Sequence, residues 1–178
     1  KNATLIQLLK DVADSLIRQG FDKIILLNGH GGNVPAFNIA AEEIDFGSGK
    51  FCCHIKCWEL ASVEAPKGTP EYDGHGGSQE TSLLLALRPE DVYEDEYIDS
   101  KPEVELGEIG CIWPPQNDPF YSPAPINLMA KECVKYGHFG DPKYASAERG
   151  EKVLEAWADS LVRFIELLKN DKLKWRKQ

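Results

Sequence analysis

One stretch constrains the fold more than any other: KIILLNGHGGN, Lys23 to Asn33, where an apolar run ends in Asn28 and His30 stands among three glycines. A continuous apolar run of this length reads as a strand buried on both faces in a parallel sheet. VPAFNIAAEEI then reads as a helix with Pro35 in its first turn, where a missing N–H costs little. Ahead of the strand, Thr4 to Gln19 carries Leu5, Leu8, Leu9, Val12, Leu16 and Ile17 at helical spacing. Asn2 or Thr4 is available to cap that helix, and Gly20 to stop it. Beyond FGSGK, a turn, Lys50 to Trp58 is a second strand candidate. Helix, strand, glycine loop, helix and strand in this order predict an α/β fold with a mostly parallel sheet.

The rest of the chain extends the pattern. Ser62 to Gly77 reads as a loop, and Ser78 as the cap of a helix reaching about Leu87. Residues 88–127 are acidic and then proline-rich, irregular, and long enough for a functional loop or lid. The closing segment places Val153, Trp157, Leu161, Phe164, Ile165 and Leu168 on one face of a long helix. At 178 residues the chain is expected to form one domain, able to bury about two-thirds of its unfolded surface. It opens inside a helical pattern without an initiator Met, as a fragment or a processed product would.

Charge and cysteine content narrow the function classes. A net charge of -9 argues against a nucleic-acid groove, which needs surplus Lys and Arg. The basic tail, Lys172 to Gln178, reads as a solvated helix end. No apolar run approaches a membrane span. The five cysteines, Cys52, Cys53, Cys57, Cys111 and Cys133, read as free thiols, and the expected location is cytoplasmic. Strand alternation puts Cys53 and Cys57 opposite His54, which favours core packing over a thiolate metal site.

The candidate chemistry lies in two similar loops, NGHGGN around His30 and DGHGGSQET around His75. In open α/β sheets ligands bind beyond the carboxyl ends of the strands, where His30 falls. The glycine spacing matches neither a dinucleotide fingerprint nor a P-loop, although a helix start can cradle phosphate. Imidazole is the commonest metal ligand, and Glu80 falls in the first turn of its helix. Five residues along a helix do not share a face, so His75 and Glu80 are expected to divide metal binding and proton handling.

LLNGHGGN and HGGSQETSLLLAL resemble the two signature blocks of the creatininase (creatinine amidohydrolase) family, and GHFGDPKYASAERGEK resembles its third. The resemblance implies a three-layer α/β/α fold, a homo-oligomer (commonly a hexamer), and a divalent metal, Zn, Mn or Fe. It implies hydrolysis of a C–N bond in a small amide or cyclic amide by a metal-activated water. By residue match His30 and Glu80 are the metal ligands and His75 transfers a proton to the leaving nitrogen. Gly31, Gly32, Asn33 and Trp58 are expected to line the substrate, the glycines turning the chain sharply and making room.

Two departures qualify the match. The family's other ligands, a Glu, a His and an Asp, belong to a segment that would precede Lys1. Creatininases proper also carry an acidic ligand where this chain has Gly32. That residue points away from creatinine and towards the broader family, which includes a deformylase and a peptidase of cofactor maturation. Two other readings stay open: an inactive or interaction module that keeps the fold, and a nucleotide-binding domain using the His30 loop.

Overall fold

A computed structural model describes residues 1–70, 73–101 and 134–170. Its elements run α1 (Asn2–Arg18), β1 (Lys23–Asn28), α2 (Val34–Ser48), β2 (Phe51–Lys56), α3 (Ser78–Leu87) and α4 (Ala147–Lys169). These residues fall into two compact units. Lys1–Ser62 and the residues from Ala156 onward make the first, and Val63–Glu155 the second. Cys111, Cys133, residues 102–127 of the acidic and proline-rich stretch, and the basic tail lie outside the described residues.

In the first unit β1 and β2 pair in parallel, from Lys23 opposite Phe51 to Asn28 opposite Lys56. The α/β class and parallel pairing are those the sequence predicts. β1 does not, however, have the two buried faces its apolar run suggests. Ile24, Leu26 and Asn28 are buried while Leu27 is 48% exposed. The core gathers on one face only, from Ile24, Leu26 and Cys52 of the sheet with Ala13 of α1 and Phe37, Ala40, Ala41 and Ile44 of α2.

The buried stripe of α1 is also rotated from the expected one. Leu5, Ile6, Leu9, Ala13, Leu16 and Ile17 face the core, and Leu8 and Val12 are more than half exposed. The alanines explain it: Ala13, Ala40 and Ala41 are small enough for two helices to approach closely, so the contact centres on Ala13. Neither Asn2 nor Thr4 caps this helix; the N-cap is Lys1, without a side-chain bond. Gly20 stops it as expected. At φ 97° it donates to the Ile17 carbonyl while Phe21 donates to Leu16, the double bond of a Schellman end.

α2 starts with Pro35 in its first turn and runs through Gly47 to end at Gly49, φ 68°. β2 is shorter than expected. The chain leaves it at Lys56, so Cys57 and Trp58 belong to a 3-10 turn, Cys57–Glu59. Within the strand Cys52 and His54 share the face of Ile24 and Leu26, and Cys53 lies opposite. Burial pushes the Cys52 thiol up to about 12 and Cys53 to about 11. Such thiols are inert packing groups.

In the second unit α3 ends at Leu87, as expected, but Ser78 is its first residue and not its cap. Gly77 takes that position and Asp73 receives the Ser78 N–H. The start of α4 crosses α3 so closely that a Cβ on Gly150 would sit on the Ser82 carbonyl oxygen. α4 belongs to the second unit as far as Glu155, with Val153 buried, and to the first from Ala156, where Leu168 is buried and Trp157, Leu161, Phe164 and Ile165 are half-buried. No helix among the described residues is long and apolar enough to cross a membrane.

Two glycine-to-alanine variants are expected to move stability in opposite directions. Gly150→Ala forces α3 and α4 apart and should lower the unfolding free energy by about 1–3 kcal/mol. Gly47→Ala adds a methyl where nothing lies within 4 Å, in a helix, and should raise it by roughly 0.5–1 kcal/mol. Urea unfolding of the two proteins checks the sign of each change.

Candidate functional site

The first loop is organised by the residue that ends β1. Asn28 is fully buried, and a buried amide needs partners for both ends. Its Oδ1 accepts the His30 backbone N–H at 3.1 Å and Asn33 Nδ2 at 3.3 Å. Its Nδ2 lies 3.3 Å from Nε2 of His54 on β2, and His54 Nδ1 lies 2.8 Å from Asn38 Oδ1 on α2. The ring of His54 also packs on Phe37, with centroids 5.3 Å apart.

His30 has extended backbone and caps the 3-10 turn Gly31–Asn33, its Nδ1 accepting the Gly32 N–H at 3.1 Å. The turn feeds directly into α2. None of the three glycines has positive φ, so the tight turn expected here is made in ordinary backbone conformations. Their value is space. A Cβ on Gly32 would press on the His30 ring at 3.1 Å, whereas one on Gly29 or Gly31 would meet nothing beyond its chain neighbours within 4 Å. Of the residues expected to line substrate, Gly31 and Gly32 are exposed and Asn33 half-buried. Trp58 is half-buried just past the carboxyl end of β2, as His30 follows that of β1.

The second loop hangs on a carboxylate. Asp73 Oδ1 accepts the backbone N–H groups of Ser78 (2.8 Å) and Asp141 (3.2 Å), and Oδ2 accepts the Ser78 hydroxyl at 2.6 Å. Buried Arg149 donates to that same hydroxyl at 2.7 Å. Burial lowers the guanidinium pKa, and the Asp73 charge works against the shift. The GHFGDP segment clamps the loop from its other side. Phe139 donates to the His75 carbonyl at 2.8 Å and accepts from Gly74 N–H at 3.1 Å. Gly76, at φ 66°, gives way to the Cβ of His138.

This arrangement brings His75 and Glu80 together. Because α3 begins at Ser78, His75 lies in the loop and the helical-face argument does not govern it. His75 Nδ1 stands 3.9 Å from Glu80 Oε2, which also accepts the Gly76 N–H at 2.6 Å. The pair is about half exposed, open to a proton acceptor or an ion. His30, Gly31, Gly32, Asn33 and Trp58 belong to the first unit, and His75 and Glu80 to the second. Among the described residues no three His, Cys, Asp or Glu side chains gather as a metal site.

Four polar side chains that shape these loops carry no sequence signature of the role: Asn28, His54, Asp73 and Arg149. The nearest signal is Asn28 itself, an amide closing a run that is otherwise apolar.

Comparison with known proteins adds a third line. A family model for creatininase, creatinine amidohydrolase, matches residues 1–165. The creatinine amidohydrolase of Pseudomonas putida is 31% identical over 170 residues, covering 86% of this chain and 58% of that protein. The mycofactocin precursor peptide peptidase of Mycolicibacterium smegmatis is 29% identical over 133 residues, 74% of this chain and 43% of that one. The chain thus spans about half the length of these curated relatives. A crystal structure from Bacteroides fragilis, classed with the creatinine amidohydrolases, superposes with a TM-score of 0.74 at 26% identity. It is matched over 94% of this chain and 62% of its own. Two creatininase structures, one a mutant of Zn-Zn type and one an Mn form, superpose at TM-score 0.65 and 26% identity over 93% of this chain and 63% of theirs.

Removing the carboxylate that holds the second loop should be costly. Asp73→Ala leaves Ser78 and Asp141 N–H groups without their acceptor and should destabilise by about 1–3 kcal/mol in urea unfolding, with Asp73→Asn recovering part of the loss. A pH effect follows from His54, whose pKa is lowered, first by burial and then by Lys56, with Glu59 opposing. The unfolded chain therefore binds the proton more readily. Stability should be fully present above the ordinary value of 6.5 and decline as pH falls below it towards the lowered folded value. In His54→Gln that part of the slope should vanish, read as the urea midpoint against pH.

Proposed function

The chain belongs to the creatininase family, and we propose that the protein is a metal-dependent amidohydrolase that cleaves a C–N bond of a small amide, cyclic amide or peptide. The observation that carries the reading is the His75–Glu80 pair, set 3.9 Å apart on a loop held by buried groups, in a chain matched to the family over residues 1–165. The hydrolase names of the relatives support the reaction class. The Zn-Zn and Mn forms among the structural neighbours support a divalent metal.

Imidazole and carboxylate are ligand types that Zn, Mn and Fe accept, so the donor set of His30 and Glu80 fits in kind. It falls short in number, since a catalytic zinc usually has three protein ligands. The proposal is therefore for a protein of the relatives' full length. His30 Nδ1 already accepts the Gly32 N–H, so ligation through that nitrogen requires the turn to release it. A bound metal supplies a nucleophilic water near neutral pH and polarises the amide carbonyl.

The chain's own residues do the rest. Glu80 closes the loop by accepting Gly76 N–H, which keeps its carboxylate beside His75. His75 holds a proton at the ring and passes it to the departing nitrogen. Gly31, Gly32, Asn33 and Trp58 border the substrate. Gly32 argues for a substrate other than creatinine, because creatininases proper carry an acidic ligand at this position. A homo-oligomer and a cytoplasmic location complete the reading.

His30→Ala in the full-length protein tests it. The variant should lose bound metal, measured by elemental analysis, and lose hydrolysis of whichever formamide or short peptide the wild type cleaves. If both stay unchanged, the enzyme reading is wrong, and a folded, metal-free, inactive wild type would favour the interaction module.

A further inference from the structure

We propose that His54, a residue of neither signature block, is a positioning residue for His30, acting through the Asn28 amide. The proposal rests on the reading of His30 as a site residue given above.

The argument is one of donor and acceptor parity. The Asn28 amide has an oxygen end that only accepts and a nitrogen end that only donates. The His30 backbone N–H is a fixed donor at 3.1 Å, so it must meet the oxygen. The nitrogen end then faces His54 Nε2 at 3.3 Å, which must accept. A neutral imidazole that accepts at Nε2 carries its proton at Nδ1, and there Asn38 Oδ1 accepts it at 2.8 Å. Every member of the chain is satisfied in one tautomer and one amide orientation. The order Asn38, His54, Asn28, His30 thus ties α2 and β2 to the first residue of the catalytic turn, and Asn33 joins it through the same oxygen.

The sheet supplies the geometry. His54 stands in register with Leu26, two residues before Asn28 and on the same face. Phe37 packs against its ring. Without His54 the Asn28 amide nitrogen loses the acceptor at His54 Nε2, and the oxygen that receives the His30 N–H is less firmly held. A hydrophobic replacement therefore acts on the His30 turn, while the strand that bears it keeps its ladder.

The test compares His54→Phe, which keeps a ring against Phe37, with His54→Gln, which keeps one acceptor and one donor. In the wild-type chain without added metal, long-range ¹⁵N NMR of the imidazoles should show His54 as the Nδ1–H tautomer. Amide hydrogen exchange should be faster by about tenfold at His30 in His54→Phe, a typical effect of losing one hydrogen bond, and unchanged at Leu26. His54→Gln should restore slow exchange. Zinc titration of full-length protein should follow the same order, weaker for Phe and recovered for Gln. An Nε2–H tautomer, equal exchange in wild type and His54→Phe, or a Gln variant no better than Phe would overturn the proposal. Because the tautomer and exchange are read without metal, failure of His30→Ala to affect metal binding would strike the enzyme reading alone.

Discussion

A loop made of glycine has no side chains with which to hold itself, and both histidine loops meet this constraint in the same way. Each is suspended from one polar side chain of the framework, fully buried Asn28 in the first and half-buried Asp73 in the second. In the first, the Asn28 amide receives the His30 N–H; in the second, the Asp73 carboxylate receives the N–H of Ser78 and of Asp141. The buried Asn28 amide must be fully used, because an unpaired polar group away from water costs far more than a good bond gains. The histidines are thereby fixed from their backbones, and their rings are left at the surface. That division suits a site whose side chains must reach a ligand while the chain beneath them stays put.

How much of this can be read from the letters depends on the range of the interaction. The strand-to-helix passage through KIILLNGHGGN, Gly20 as a helix stop, Pro35 in a first turn and the end of α3 at Leu87 are all decided within a few residues, and local chemistry predicts them. The rotated stripe of α1 is not, because it depends on which face of α2 is lined with alanine. Nor is Leu27, whose exposure reflects which elements cover the sheet. An apolar run states that a residue prefers burial, and only its neighbours in space grant it.

The candidate site divides the same way. The two HGG blocks identify His30, His75 and Glu80 as residues of interest, but helical spacing separates His75 from Glu80 only if both lie on the helix, and His75 precedes it. With the helix starting at Ser78, the loop curls back and the two side chains approach. Asp73 is the harder case. Its partners Ser78 and Asp141 are 5 and 68 residues away, and Arg149 reaches Ser78 across 71. No window of sequence contains that cluster. An aspartate before a glycine loop looks like solvent decoration until the third block folds beside it.

The crowding around Asp73 bears on how such a chain can change over generations. A Cβ on Gly77 would collide with Asp73 Oδ1, and one on Gly140 would lie 2.6 Å from the same atom and 2.7 Å from Gly77 itself. One oxygen thus occupies the volume that two distant glycines leave empty. A lineage cannot exchange either glycine while the aspartate stays, nor enlarge the aspartate while the glycines stay. A side chain at Gly77 therefore requires the aspartate to shorten or move, and one at Gly140 requires the Gly77 backbone to move as well. Tolerance to mutation in this loop is therefore a property of the trio: the volume of the aspartate bounds what either glycine can become.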